Sequence, residues 1–88
     1  MKVYLKIFSV LAKKLSNVFK SQYPEGLKAG TVVELDLPNK SSISNLMDSL
    51  HLERNSKYLI FVNGKSQKHE HELSEGDQIG IFPPIGGG

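Results

Sequence analysis

The residues most suited to chemistry in this sequence form its last seven positions, Phe82, Pro83, Pro84, Ile85, Gly86, Gly87 and Gly88. Proline lacks a backbone N–H and favours extended geometry, so the proline pair ends any preceding strand and directs the chain into solvent. Three glycines then remove every side chain beside the terminal carboxylate, which leaves a thread narrow enough for a channel in a partner. We therefore expect the main-chain carboxylate of Gly88 to be the reactive group, with Gly86 and Gly87 as the thread.

The alternative for this segment is a terminus without function, because glycine is common in frayed chain ends. At an average glycine frequency of about 7%, three terminal glycines arise by chance in about 0.03% of chains. A functional tail is the favoured interpretation.

Within this tail, Phe82 and Ile85 flank Pro83 and Pro84, and exposed apolar side chains favour a partner that covers them. We expect these four residues to bind that partner, with packing of Phe82 and Ile85 against the sheet as the alternative.

Several strands are predicted upstream of the tail. In the first, residues 2–8, Val3, Leu5 and Ile7 share one face and alternate with Lys2, Tyr4, Lys6 and Phe8. The other predicted strands cover residues 31–37, 58–62, 65–68 and 78–82. Asn63-Gly64 indicates a tight hairpin turn between the third and fourth strands.

Two helices complete the predicted body. Apolar residues spaced by three and four predict the first over residues 9–19, followed by a turn at 23–26 and a loop to about residue 30. Ser42 is placed to cap the second helix, whose apolar stripe consists of Ile43, Leu46, Met47 and Leu50. This order predicts an α+β domain over residues 1–82, with the main helix on one face of the sheet and an extended tail at 83–88.

Composition excludes several classes of protein. The chain has 39% hydrophobic and 23% charged residues, as in a folded domain, and no cysteine for a disulfide, thiolate metal site or nucleophile. No membrane span or signal-peptide stretch is visible, so we expect a cytoplasmic protein. Residues 1–30 contain six lysines against one glutamate, but without a basic-aromatic pattern they favour a solvated face over a nucleic-acid site.

Sites for metals or independent catalysis are not expected. His69 and His71 would point the same way on an edge strand, but without further ligands nearby we predict no metal. Phosphate loops, Ser/His/Asp arrangements and paired-carboxylate motifs are likewise not visible in the sequence. We therefore expect a protein that is not an enzyme by itself and binds no cofactor.

The chain resembles the ubiquitin-like sulfur carriers of the MoaD and ThiS type, and most closely the small subunit of molybdopterin synthase, MoaD. The resemblance covers nearly the whole chain, and the segments that carry it are 3–8, 62–64, 73–79 and 82–88. It implies a β-grasp fold with a mixed sheet of four to five strands. Residues 16–30 depart from the family pattern and look like an insertion.

The resemblance also implies a function. A ubiquitin-activating-type enzyme would adenylate Gly88 with ATP, and a persulfide sulfur donor would convert it to a thiocarboxylate. The tail would then enter the active site of the molybdopterin synthase large subunit, where the sulfur is donated for molybdopterin.

Two other functions of the same tail stay open. Gly86 is common in carriers of the thiamine pathway, whereas the double proline is typical of the molybdopterin type. A protein modifier, joined to lysines of its targets through Gly88, is the alternative from a different class.

Overall fold

The computed structural model describes residues 1–52 and 58–82, and only the backbone of Ser9 and Val10. Its elements follow in the order β1 (Lys2–Lys6), α1 (Ser9–Ser16), β2 (Val32–Asp36), α2 (Ile43–Ser49), β3 (Leu59–Val62), β4 (Lys65–Gln67) and β5 (Gln78–Phe82). Each predicted strand and helix is therefore present, with ends that differ by up to three residues. The prediction that residues 83–88 form an extended tail concerns residues outside the described ranges.

The strands form one mixed sheet in the order β2-β1-β5-β3-β4. β1 and β5 run parallel, whereas the other neighbouring pairs are antiparallel. The last strand along the chain is thus the middle strand of the sheet, and the predicted tail follows it directly. This topology confirms the α+β prediction and is the β-grasp arrangement.

Alternation along the strands separates an inner from an outer face of the sheet. Val3 and Leu5 of β1 and Ile79 and Ile81 of β5 are buried on the inner face. Both helices contribute to the same core, chiefly through the buried residues Leu11, Leu15, Ile43, Leu46 and Met47. The outer face consists of the alternate residues, which are half-buried or exposed.

The helices begin and end for local reasons. The Ser42 hydroxyl accepts the Asn45 N–H at 3.2 Å, and the Asn45 side chain accepts the Ser42 N–H at 2.8 Å, so a capping box starts α2. α1 stops at Ser16, earlier than predicted, and turns follow to residue 22. The Ser16 hydroxyl donates to Ala12 O at 2.6 Å and accepts the Leu27 N–H at 2.9 Å. The second hydrogen bond connects the segment after α1 to the end of the helix.

The hairpin turn between β3 and β4 forms as predicted. Asn63 and Gly64 have φ values of 52° and 84°, the left-handed pair that a two-residue turn of this type requires.

The prediction that His69 and His71 lie on an edge strand is wrong. Both follow the end of β4 in a turn, where the His71 N–H donates to Lys68 O at 3.0 Å. Their carbonyls accept hydrogen bonds from the start of α2, with Ser44 N–H donating to His69 and Ile43 N–H to His71. The first turn of a helix has no internal acceptors for its N–H groups, and this contact supplies them.

None of the helices in the described part of the chain has the length and apolar character needed to cross a bilayer. Within residues 1–52 and 58–82, no three His, Asp or Glu side chains are grouped so that they could hold a metal ion.

Candidate functional site

The candidate site is the outer face of the sheet around Phe82, the last described residue before the predicted tail. β5 alternates Ile79 and Ile81 inward with Gln78, Gly80 and Phe82 outward. Because β5 is the middle strand, β1 and β3 lie on its two sides. We call Phe82, after which the predicted tail begins, the root of the tail. The predicted site residues 83–88 lie outside the described residues, so their roles stay predictions.

Three aromatic rings meet at this position, and we call them the aromatic cluster: Phe8, Phe61 and Phe82. The Phe8 and Phe82 rings stack with centroids 4.4 Å apart and planes 29° apart. Phe61 meets Phe82 edge-on, with centroids 5.4 Å apart. Both geometries are favourable for aromatic pairs. All three rings remain half-buried, so the cluster presents apolar surface to solvent.

Gly80 makes room for this cluster. A Cβ built at Gly80 would lie 3.3 Å from Cε2 of Phe8 and 3.6 Å from Cε2 of Phe82. A shallow cavity of about 370 Å³ lies beside Gly80 on the outer face, lined by the cluster, Lys6 and Gly80 among others. Exposed apolar side chains also lie on both sides of the cluster, because the side chain of Leu59 in β3 is 44% exposed and that of Val32 in β2 is 53% exposed. The outer face thus carries an apolar surface of the kind that partners cover.

The charges on this face are unevenly arranged. On its β2 side, Lys2 Nζ pairs with Glu34 at 2.9 Å, and this hydrogen bond, helped by Asp36, raises the pKa of Lys2. Lys6 stands nearer the centre, with Nζ 5.8 Å from the Phe8 ring centroid. Among the described residues, Lys6 is therefore the lysine that lines the cavity beside Phe82.

A polar network around the buried Asp77 carboxylate fixes the start of β5. The Asp77 carboxylate, 8% exposed, accepts hydrogen bonds from Asn63 Nδ2 at 3.0 Å and from the Ser74 N–H at 2.8 Å. The Asn63 side chain in turn accepts the Gln78 N–H at 2.9 Å. The hairpin turn after β3 is thereby joined to the turn before β5, which sets the position of the strand that leads to the tail.

Of the predicted partner-binding residues, Phe82 alone is described, and it packs on the sheet while keeping part of its ring exposed. The sequence-based prediction did not assign Phe8, Phe61, Lys6 or Gly80 to the site. One local signal existed, because Phe8 is an apolar residue on the otherwise polar side of the first alternating segment. No local signal places Phe61 beside it, since that contact depends on the order of the strands.

Several solved structures share this fold. SAMP1 from Haloferax volcanii superimposes with a TM-score of 0.67 at 18% identity, covering 100% of both chains. A candidate molybdopterin converting factor subunit 1 from Pyrococcus furiosus gives a TM-score of 0.65 at 21% identity, covering 97% of this chain and 99% of that one. A ubiquitin-like protein from Caldiarchaeum subterraneum gives 0.51 at 12% identity, covering 99% of this chain and 100% of that one. At these identities the likeness establishes the β-grasp fold alone.

Comparison of sequences adds the family. No curated protein matches the chain in sequence. The family model described as the ThiS family matches residues 22–88. This range includes α2, the seven terminal residues and every strand of the sheet except β1. This match covers well over half of the chain, and the protein belongs to the ThiS family.

Proposed function

We propose that the protein is a sulfur carrier whose Gly88 carboxylate is adenylated and converted to a thiocarboxylate, and that it serves as the small subunit of molybdopterin synthase. The observation that carries this proposal is the Pro-Pro-Ile-Gly-Gly-Gly sequence that directly follows the middle strand of a ThiS-family β-grasp domain. The folded body supplies no catalytic group in this function. It presents the tail and the surface that partners recognise.

The chemistry requires activation because a carboxylate is a poor electrophile. A carboxylate oxygen of Gly88 attacks the α-phosphorus of ATP on the adenylating enzyme, and pyrophosphate leaves. The terminal sulfur of a donor protein's persulfide then attacks the acyl carbon and displaces AMP. A thiol cleaves the resulting acyl disulfide, which releases the thiocarboxylate. Glycines next to the reacting carbon keep the thread narrow enough for this exchange inside a partner.

We propose the outer face of the sheet as the docking surface for the adenylating enzyme and, in turn, for the large subunit. The aromatic cluster borders the root of the tail, so a partner that takes the tail into its active site also meets these rings. Covering the half-buried rings of Phe8, Phe61 and Phe82 removes apolar surface from water and stabilises the complex. Phe82 is then both a packing residue and an anchor.

The molybdopterin pathway is favoured by the double proline of the tail and is in keeping with the fold shared with the Pyrococcus protein. Gly86 keeps a carrier for thiamine thiazole as the second candidate. A protein modifier is the third, and the fold shared with the small archaeal modifier protein of Haloferax volcanii supports it. These functions differ in the acceptor of the activated carboxylate.

One incubation separates a carrier from a modifier. The protein is incubated with the adenylating enzyme, ATP and a persulfide donor, and its intact mass is measured. A carrier gains about 16 Da, the exchange of one oxygen for one sulfur atom. Adding cell extract and ATP to the activated protein should give no conjugates that survive reducing denaturing gels. Such conjugates, without the mass gain, would assign the protein to the modifiers.

A second measurement separates the pathways. The thiocarboxylated protein is mixed with the molybdopterin synthase large subunit and the molybdopterin precursor. Loss of the 16 Da together with formation of molybdopterin supports the proposed pathway. A thiocarboxylate that stays intact there, but is consumed by thiazole synthase, would assign the protein to thiamine synthesis.

A further inference from the structure

Within the described part of the chain, Lys6 is the charged side chain that contacts the aromatic cluster. Its cross-strand neighbours on the outer face are Val32 of β2 and Gly80 of β5, and its ammonium lies 5.8 Å from the centroid of the Phe8 ring. It lines the cavity beside the cluster and also a second cavity of about 310 Å³ next to Val32. Lys6 therefore stands between two concave parts of one apolar surface.

No acidic side chain among residues 1–52 and 58–82 forms an ion pair with Lys6. The nearest acidic residue along β2 is Glu34, which pairs with Lys2 at 2.9 Å. Asp36 lies directly opposite Lys2 in the strand register and so lies farther along β2 from Lys6 than Glu34 does. Among the described residues, Glu34 and Asp36 thus lie beside Lys2 at the edge of this face, whereas the ammonium of Lys6 lies over the Phe8 ring.

We propose that Lys6 receives a carboxylate of the adenylating enzyme when that enzyme covers the aromatic cluster. The inference rests on the proposed function, and the adenylating enzyme is chosen because carrier and modifier alike require activation of Gly88. An apolar surface that buries Lys6 without a counter-charge would leave an unpaired ammonium out of water, which is strongly unfavourable. A partner carboxylate at this point removes that cost, and surfaces without one are rejected.

The expected role is docking and specificity, not catalysis. Lys6 lies beside the root of the tail, whereas the reacting carbon belongs to Gly88, six residues after Phe82. Six residues span up to about 20 Å when extended. The contribution of Lys6 should therefore appear in the KM for the carrier protein, with kcat unchanged.

The test measures ATP-dependent pyrophosphate release by the adenylating enzyme as a function of carrier concentration. We expect Lys6→Gln to raise KM about tenfold and Lys6→Glu to raise it further, since like charges then face each other. Lys6→Arg should keep KM within about threefold because it retains the charge. Lys13→Gln and Lys13→Glu are the matched controls, because Lys13 is an exposed lysine of α1, away from the outer face, and KM should stay within about twofold.

The outcomes separate the inference from the function on which it rests. Absence of pyrophosphate release with the unaltered protein would remove the proposed function, and this inference with it. Normal release together with equal KM values for Lys6→Gln and Lys13→Gln would overturn the inference alone. A fall in kcat at unchanged KM would also overturn it, because docking does not act on that parameter. Carbodiimide cross-linking of the complex provides a direct check, with an amide between Lys6 and an enzyme carboxylate as the expected product.

Discussion

The ring of Phe8 stacks on the ring of Phe82 with centroids 4.4 Å apart, although 74 positions separate the two residues in sequence. The parallel pairing of β1 and β5 brings the two rings together, because the C-terminal ends of parallel strands lie at the same end of the sheet. The residue that precedes the predicted tail is thus held by a residue two positions after the end of β1. The stability of the folded domain and the position of the residue before the predicted tail thus depend on the same contact.

Replacement of Phe82 by alanine tests both roles of the ring. Loss of the stack on Phe8 and the edge contact with Phe61 should lower the free energy of unfolding by about 1–2 kcal/mol, measured in urea. The affinity for the proposed partner, the molybdopterin synthase large subunit, should fall by at least about tenfold, measured by calorimetry on the folded variant. Unchanged binding would remove the anchor role and leave Phe82 as a packing residue.

A double-mutant cycle isolates the stack itself. We expect Phe8→Ala and Phe82→Ala to be non-additive, with a coupling free energy of about 0.5–1.5 kcal/mol. Strictly additive losses would mean that the two rings do not stabilise each other in solution.

Gly80→Val should disturb the aromatic cluster without touching the core. The Cβ position lies 3.3 Å from Phe8, and the branched methyl groups would press on both rings, so we expect a loss of about 1–3 kcal/mol in the free energy of unfolding. Ser66→Val is the matched control, because Ser66 is an exposed strand residue paired with Phe61, and its stability should change by less than about 0.5 kcal/mol. Equal effects of the two substitutions would indicate that Gly80 has no special place in the cluster.

Asp77→Ala should destabilise the protein more than a substitution at an exposed turn residue does, because the Asp77 carboxylate is buried. Its removal leaves Asn63 Nδ2 and the Ser74 N–H without their acceptor, at a cost of about 2–3 kcal/mol in the free energy of unfolding. Glu75→Ala removes a carboxylate that accepts the Lys2 N–H at an exposed site, and it should cost less than about 1 kcal/mol. If both variants lose the same stability, the hydrogen bonds to the buried Asp77 carboxylate are not what stabilises the start of β5.

Ser16→Ala should loosen the segment between α1 and β2. The hydroxyl is the acceptor for the Leu27 N–H, so its loss should cost about 1 kcal/mol and speed hydrogen exchange at the Leu27 amide. Ser21→Ala, an exposed serine of the same segment, serves as the control. Unchanged exchange at Leu27 would show that the segment is held by its apolar residues Phe19 and Leu27 alone.

The elements of the fold were predictable because their signals are local. The alternation of Val3, Leu5 and Ile7 marks an inner face whatever the rest of the chain does, and these residues are buried as expected. Ser42 is the cap of α2 for the same reason, since a capping box involves residues three apart.

The aromatic cluster was not predictable, because it depends on strand order. Phe8, Phe61 and Phe82 belong to three segments, and only the placement of β5 between β1 and β3 unites them. The error at His69 and His71 has a similar origin. The alternating pattern of that segment fits a strand, but the start of α2 takes its carbonyl groups as hydrogen-bond acceptors, and the chain turns there instead.

The most direct test of the proposed function is to locate the sulfur atom. The protein is incubated with the adenylating enzyme, ATP and a persulfide donor, and its fragments are sequenced by mass spectrometry, with a chain lacking Gly88 treated in parallel. We predict a gain of about 16 Da confined to fragments that contain Gly88, and no gain in the shortened chain. A gain elsewhere in the protein, or an unmodified Gly88 under conditions in which ATP is consumed, would contradict the assignment of this carboxylate as the sulfur carrier.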